Sequence, residues 1–573
     1  MISRRDFVQV ALALSGAMSG AAAGGSLLGN VARASARQSV TQDDLLSFDP
    51  LGQVTLLHVT DIHAQLVPLY FREPSVNLGV GAVSGLPPHI TGKDFLGKFG
   101  LPPGSADAYT LSSEDFVAMA RTYGKVGGLD RIATLVKAVR AERGDNVLFL
   151  DGGDTWQGSY GALATQGADM VAAMNALGAD AMTAHWEFTY GTDRVQELAE
   201  QLDFPFLAAN VRDTEWDESV FDSTAYFERG GVKIAVIGQA FPYTPVANPR
   251  YLIPEWSFGI REDSLRQEVE QARASGAQLV VLLSHNGFDV DRKLVSRVAG
   301  IDVCLTGHTH DAVPVAIEVA NPSGRTLMVA SGSHGKFLSR LDLDIQDGGI
   351  AGYRFKLIPV LSDVITPDPQ MAAAVAALRA PYEAETAKVL GQTESLLYRR
   401  GNFNGSFDDL ICQALLEERD AEIALSPGFR WGASLLPGQD ITVDDVYSQT
   451  AITYPNAYRM DMTGARLKEI LEDVADNLFN PDPYYQQGGD MVRVGGMGYS
   501  IDISQPIGKR ISAMTDLKSG DPIDAEKSYI VAGWASVNEG TEGPPVYDVV
   551  SDYITRKGTV SVPPNDSIKI KHG

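Results

Sequence analysis

Seven residues of the chain have types and positions that suit divalent-metal chemistry: Asp61, His63, Asp154, His185, His285, His308 and His310. They sit in five short segments: Asp61-Ile62-His63, Asp151-Gly152-Gly153-Asp154, His185-Trp186-Glu187, His285-Asn286 and Gly307-His308-Thr309-His310. Each segment directly follows a run of apolar, β-forming residues. Imidazole and carboxylate donors without thiolates suit ions such as Mn, Fe, Zn or Co. Seven donors exceed what one tetrahedral ion takes. Two ions sharing a carboxylate account for the number. Such a pair, about 3.5–4 Å apart, clamps a tetrahedral anion and activates water for in-line attack. A lone His or Asp is most often structural, but a concentration of this size at successive strand ends points to a site. Of the other histidines, His334 in Ser333-His334-Gly335-Lys336 is a candidate supporting residue, and His58, His89 and His572 carry no argument. Cys304 and Cys412 lie in apolar contexts and read as small core residues.

The elements that must position these donors follow from periodicity. Strands are expected at 54–59, 146–150, 181–184, 205–210, 233–238, 278–284 and 302–306, with amphipathic helices between them, as at 129–142 and 262–275. This alternation predicts a layered α/β domain over 50–361. The carboxyl ends of strands in such sheets form the ligand crevice, which is where the donors fall. A Pro- and Gly-rich insertion at about 66–125 is too long for a simple loop and reads as a lid or an added subdomain. Thr366-Pro367-Asp368-Pro369 breaks the pattern. A helical linker over 362–390 then leads to a second, α+β domain over 391–573, opening with a helix at 407–418.

The formal net charge of the 573-residue chain is −25. That balance argues against a nucleic-acid partner, which needs a basic face, and against stable anchoring on anionic lipid. At the N-terminus, Ser3-Arg4-Arg5-Asp6-Phe7 precedes an apolar Ala- and Gly-rich stretch and then Ala32-Arg33-Ala34-Ser35-Ala36. This is the layout of a secretory signal over 1–36, and the Arg pair resembles a twin-arginine signal. The stretch is interrupted by Ser and Gly and reads poorly as a membrane span. The expected location is the periplasm.

Taken together, Asp61-x-His63, Gly152-Gly153-Asp154, His185-Trp186-Glu187, Ser284-His285, Gly307-His308-Thr309-His310 and the helix start Gly127-Gly128-Leu129-Asp130-Arg131 resemble the dinuclear metallophosphoesterases, with the 5′-nucleotidase architecture. The resemblance spans nearly the whole chain after residue 50. It implies a layered αββα metallophosphoesterase domain followed by a C-terminal α+β substrate domain. It also implies roles: Asp61, His63 and His310 on one metal, Asp154 bridging, and His285 and His308 on the other. The third segment departs from the family. Nucleotidases have Gly-Asn-His-Glu there, and aligning Glu187 to Gly191 puts His185 in the ligand Asn position and Trp186 in that of the catalytic His. An imidazole can replace the amide ligand, but indole carries no proton for acid–base work.

That departure, the twin-arginine pattern and the insertion resemble the SoxB-type thiosulfohydrolases of bacterial sulfur and thiosulfate oxidation. In that family two Mn(II) ions serve hydrolysis of a sulfonate from a cysteine S-thiosulfonate on a SoxYZ carrier protein. A thiolate-type leaving group makes loss of a general-acid His less consequential than it is for an alkoxide. In the second domain, Ser426-Pro427-Gly428-Phe429-Arg430 matches the family's Gly-Gly-x-Arg segment, which implies Arg430 as an anion contact. Arg399, Arg400 and Tyr454 fall near other substrate-binding positions, whereas the segment from Trp534 to Gly540 lacks the usual nucleobase-stacking pattern. A periplasmic 5′-nucleotidase or related phosphoesterase is the alternative, and a non-catalytic metal- or anion-binding protein a third.

Overall fold

The computed structural model describes residues 40–571, so the signal pattern at 1–36 and His572 lie outside the described residues. Two sheets form the N-terminal half. In the first, the Val54–Val59 strand pairs in parallel with Val147–Asp151, which pairs in parallel with Ala181–Met182; Phe337–Gln346 and Gly349–Pro359 extend the other edge. In the second, Val232–Gln239, Leu279–Ser284, Val303–Thr306 and Gly324–Ala330 run parallel in that spatial order, with antiparallel strands on both edges.

Side chains alternate across each strand with a period of two, and this builds four layers. Val54, Leu56, Leu148 and Leu150 face Ile234, Val236, Val281 and Val303 of the other sheet. Leu57, Val59 and Phe149 face outward onto the helices Leu129–Arg143 and Ala168–Leu177. Ile237, Val280, Leu282 and Cys304 pack against Glu262–Ala274 and Phe288–Arg297. The result is the expected αββα sandwich. Cys304 and Cys412 are both free and buried.

Two segments differ from expectation, and the insertion takes one of its two expected forms. Residues 205–210 form no ladder. Leu207 N–H bonds to Met182 O of the first sheet and Ala209 N–H to Gly238 O of the second, so the segment crosses between sheets and satisfies its backbone on both. The 66–125 insertion is a helical subdomain: Gly92–Phe99, Ala106–Leu111 and Phe116–Tyr123 fold around stacked Tyr109, Phe116 and Tyr123, closed at its base by paired bonds between Leu69 and Val126. Helix does not continue to 390. Pro369–Arg379 ends, and Val389–Thr393 is already a strand between Asp440–Thr442 and Thr559–Val560.

The C-terminal half carries a sheet in the order Tyr458–Thr463, Ser528–Gly533, Ile423–Gly428, Asp490–Gly495, covered by the helices Ser406–Glu418 and Gly464–Phe479. One of its core clusters contains a residue from the other half, Trp186, packed with Trp431 and Trp534. Among the described residues no helix is long and apolar enough to cross a membrane.

Candidate metal centre

All seven donors found in the sequence converge where the two halves meet. Asp61, His63, Asp154 and His310 form one group, and Asp154, His185, His285 and His308 a second, with the donor atoms of each group within 4.8 Å of one another. Asp154 belongs to both. Its Oδ2 lies 3.0 Å from His285 Nε2, 3.2 Å from His185 Nδ1 and 3.7 Å from His63 Nε2. On the other side, Asp61 Oδ1 is 3.2 Å from His310 Nε2.

The local sequence explains how short strand ends hold this geometry. Asp61, His63, Asp154, His308 and His310 have φ of 53°, 49°, 57°, 73° and 57°. Left-handed backbone costs non-glycine residues on the order of 1–3 kcal/mol each and persists only where neighbours over-determine it. They do so here. Glu187 accepts N–H bonds from His185 (2.7 Å), Asp154 (3.3 Å), Thr155 (2.6 Å) and Trp156 (3.2 Å), lashing the second and third strand ends together. Asp291 accepts from Ser284 Oγ (2.7 Å), Asn286 Nδ2 (2.9 Å) and Thr306 Oγ1 (2.5 Å), joining the fourth and fifth. The loops approach so closely that a Cβ on Gly307 would stand 2.5 Å from Thr60 Oγ1 and 2.9 Å from His285 Nδ1.

Each carboxylate and most rings have a fixed orientation. Asp61 accepts from Thr60 Oγ1 (2.6 Å) and from His308 N–H (3.1 Å), and Asp154 Oδ1 accepts from Trp186 N–H (2.8 Å). His285 Nδ1 bonds to Gly152 O at 2.6 Å, His63 Nδ1 to Gln157 Oε1 at 3.2 Å, and His308 Nε2 to Gln487 O at 3.0 Å. These partners fix tautomers and turn the opposite nitrogen toward the cluster, as is usual around metals.

The donor set fits divalent cations. Burial holds His185 down to about 4 and His63, His308 and His310 below the ordinary imidazole value, so these rings are neutral lone-pair donors. Burial raises Asp154, but its interactions with His185 and His285 outweigh that and hold its carboxyl well below the usual carboxylate value. Two neutral imidazole nitrogens, His63 Nε2 and His310 Nε2, face each other at 3.0 Å, and His185 Nε2 and His308 Nδ1 are buried without a protein partner. Neutral nitrogens at that separation repel unless a proton or cation lies between them.

A cavity of about 180 Å³ opens onto the donors. Its far wall is Trp186, Phe429, Trp431 and Arg430, with Phe241, Tyr243 and Gly488 at the sides. Phe429 stacks on Trp431 at 4.0 Å, and Trp186 meets both edge-on at 5.3 and 4.9 Å. Arg430 donates to Asp490 Oδ1 (3.3 Å) and Thr309 O (3.0 Å), with its side chain one-tenth exposed. The other sequence candidates do not reach this wall. Arg399 is buried beneath it, donating to Asp408 and Gln449 O, with its guanidinium 5.7–5.8 Å from Phe429, Trp431 and Trp534. Arg400 is buried behind the His308–His310 loop, Tyr454 spends its hydroxyl on Ala247 O, and His334 Nε2 accepts from Gly432 N–H. Sequence reasoning did not single out Phe429, Trp431, Phe241 or the Gln487–Gly489 turn as wall, nor Glu187 as a brace. Only Glu187 left a signal, its place in the His185-Trp186-Glu187 segment, and its role as a brace shows only in the fold.

Fold and site define a two-domain metallophosphoesterase of the 5′-nucleotidase type, a metal-dependent hydrolase whose buried His/Asp clusters can hold a dinuclear site. Residues 386–551 match the 5′-nucleotidase C-terminal domain family. The bovine 5′-nucleotidase is 24% identical over 466 residues, 73% of this chain and 79% of its own. The structure of a 5′-nucleotidase precursor from Thermus thermophilus superposes with a TM-score of 0.72 at 24% identity, covering 90% of this chain and 99% of that one. A higher similarity is to a sulfate thiohydrolase SoxB of Thermus thermophilus, solved with glycerol: TM-score 0.88 and 37% identity over 91% of this chain and 98% of that one. The chain belongs to the SoxB sulfate thiohydrolase family within the 5′-nucleotidase superfamily.

Proposed function

We propose that the protein is a periplasmic thiosulfohydrolase that releases sulfate from a cysteine S-thiosulfonate on a SoxYZ-type carrier, using two Mn(II) ions. The observation that carries this reading is Trp186. It holds the position of a nucleotidase catalytic His, yet its backbone N–H is spent on Asp154 and its ring is locked among Phe429 and Trp431. The SoxB relative supports the same direction. In this reading Asp61, His63 and His310 hold one ion, His185, His285 and His308 the other, and Asp154 bridges. When bound, the ions neutralise developing charge and activate the attacking water. Residues 50–361 form the metal-binding domain, 362–390 the linker and 391–573 the substrate domain. Export follows the twin-arginine route.

The chain's own residues then have defined tasks. Water oxygen bonds to the terminal sulfonate sulfur, the sulfur–sulfur bond breaks, and its electron pair stays on the carrier as a persulfide. Two protons leave to solvent with the sulfate. Because the leaving sulfur needs no proton, indole at 186 is tolerated. Arg430 offers its guanidinium to the sulfonate oxygens, a charge-assisted match. Trp186, Phe429 and Trp431 exclude bulk water and leave room for an extended arm rather than a base.

The test is parallel assay of sulfate release from a carrier-bound S-thiosulfonate and phosphate release from AMP. Sulfate release with little AMP turnover is expected. Efficient AMP turnover without thiosulfonate hydrolysis would favour the nucleotidase reading of the 24%-identical relatives.

A further inference from the structure

The backbone and side chains that orient the metal-facing residues do not all come from the half that carries those residues. His308 Nε2 donates to Gln487 O at 3.0 Å. The loop between His308 and His310 is gripped from the same side: Arg400 donates to Thr309 O (2.7 Å) and His310 O (2.9 Å), and Arg430 to Thr309 O (3.0 Å). Gln157, which faces His63 Nδ1, is itself held by Ala451 O at 2.6 Å. Three residues beyond 390, Gln487, Arg400 and Ala451, thus brace three of the seven donors, while Arg430 touches only the intervening Thr309.

We propose that the C-terminal half is an integral part of the metal centre: Gln487 O, Arg400 and Ala451 O position His308, His310 and His63, so metal retention and docking of the two halves are one coupled equilibrium. The inference rests on the ligand assignment above and not on the identity of the substrate.

Three features make the contacts specific. Gln487 is followed by Gly488 at φ 75°, where a Cβ would lie 2.4 Å from His308 Nε2; the turn is glycine so that its carbonyl can approach the ring. Arg400 is fixed as well as buried, its remaining bonds going to Glu73 of the insertion and Asp311, each at 3.3 Å. The same interface is held elsewhere by Trp186 in the C-terminal core and by the Thr189–Thr453 hydroxyl pair at 2.6 Å. Opening it by rotation would strip partners from three ligands at once.

The experiment is chelator competition on the full-length holoprotein, reading Mn(II) content and apparent affinity, with cobalt substitution to report ligand geometry by its absorption bands. Gly488→Ala and Arg400→Met should each weaken metal binding by about 10–100-fold, the usual effect of losing an outer partner of a ligand. Both should alter the cobalt spectrum. Arg400→Lys, which can still reach one carbonyl, should recover part of the affinity. Gly543→Ala, in the C-terminal half where a Cβ would crowd Ala457 instead, controls for general loosening and should leave metal affinity unchanged. Wild-type affinity and spectra in folded Gly488→Ala and Arg400→Met proteins would overturn the proposal, as would an equal loss in the Gly543→Ala control. If AMP proves to be the substrate, the functional reading fails while these metal measurements keep their meaning.

Discussion

The metal-facing side of the cavity and its aromatic side are built by different rules. On the first, seven polar residues follow strands of one layered half, with bonds such as Thr155 N–H to Glu187 and Trp186 N–H to Asp154 running between neighbouring strand ends. On the second, Phe429, Arg430 and Trp431 are consecutive on the chain and meet Trp186 from 240 or more residues away. The difference separates two kinds of specificity. Donor identity bears on which ion is held, whereas in the proposed reading the docked wall bears on what that ion acts on.

Asp154→Ala should have the largest effect, because this carboxylate belongs to both donor groups. Elemental analysis should fall from about two ions per chain, the number of a bridged pair, to less than one, with activity at background. Full metal and activity in this variant would dismantle the shared-ligand reading. Removing the metal with a chelator is next. Activity should vanish and return with Mn(II), and thermal stability should drop, since a ligand at 100 times its Kd contributes about 2.7 kcal/mol to the folded state. No shift in unfolding midpoint would mean that the donors are not bound in the native protein.

The aromatic side should respond differently. Arg430→Ala should lower kcat/KM by about 10–100-fold, the equivalent of a charged hydrogen bond worth roughly 1.5–3 kcal/mol, with both ions still present. Parallel loss of metal would place Arg430 among the supports of the metal loop, through Thr309 O, rather than on the substrate. The smallest gain is expected from His185→Asn with Trp186→His. Phosphomonoesterase activity should rise slightly, because the rest of the wall is not rebuilt, and stability should fall as the indole leaves the core it shares with Trp431 and Trp534. No rise at all would mean that position 186 does not decide between the two chemistries.

The metal side was legible because its signals are local. An apolar run that ends in Asp-x-His or Gly-His-Thr-His declares both the strand and its ligand, and the residues at 54–59 and 303–306 fold as their pattern indicates. Segments whose partners lie far along the chain were less so. Residues 205–210 look like a strand but divide their hydrogen bonds between two sheets, and 389–390, read as the end of the helical linker, instead open a strand that completes a sheet with 440–442 and 559–560. Arg399 and Arg400 illustrate the same limit. Their charge suggested anion contacts, but Asp408 and the carbonyls of Thr309 and His310 claim them, and no local pattern announces such buried partners. Glu187, bonded to four backbone N–H groups, is invisible as a brace until the two strand ends are seen side by side.

The indole cluster at the cavity gives the molecule an internal optical gauge. Trp186, Trp431 and Trp534 are three of six tryptophans in the chain. Trp186 and Trp431 rings stand 4.9 Å apart at 79°, and Trp431 lies 5.5 Å from the His63 ring. Chromophores at that separation exchange excitation, and a paramagnetic ion held by His63 would quench them. The protein's own emission should therefore darken as a paramagnetic ion loads and shift again when a substrate displaces water from the wall, so that occupancy can be followed in real time without attaching a dye.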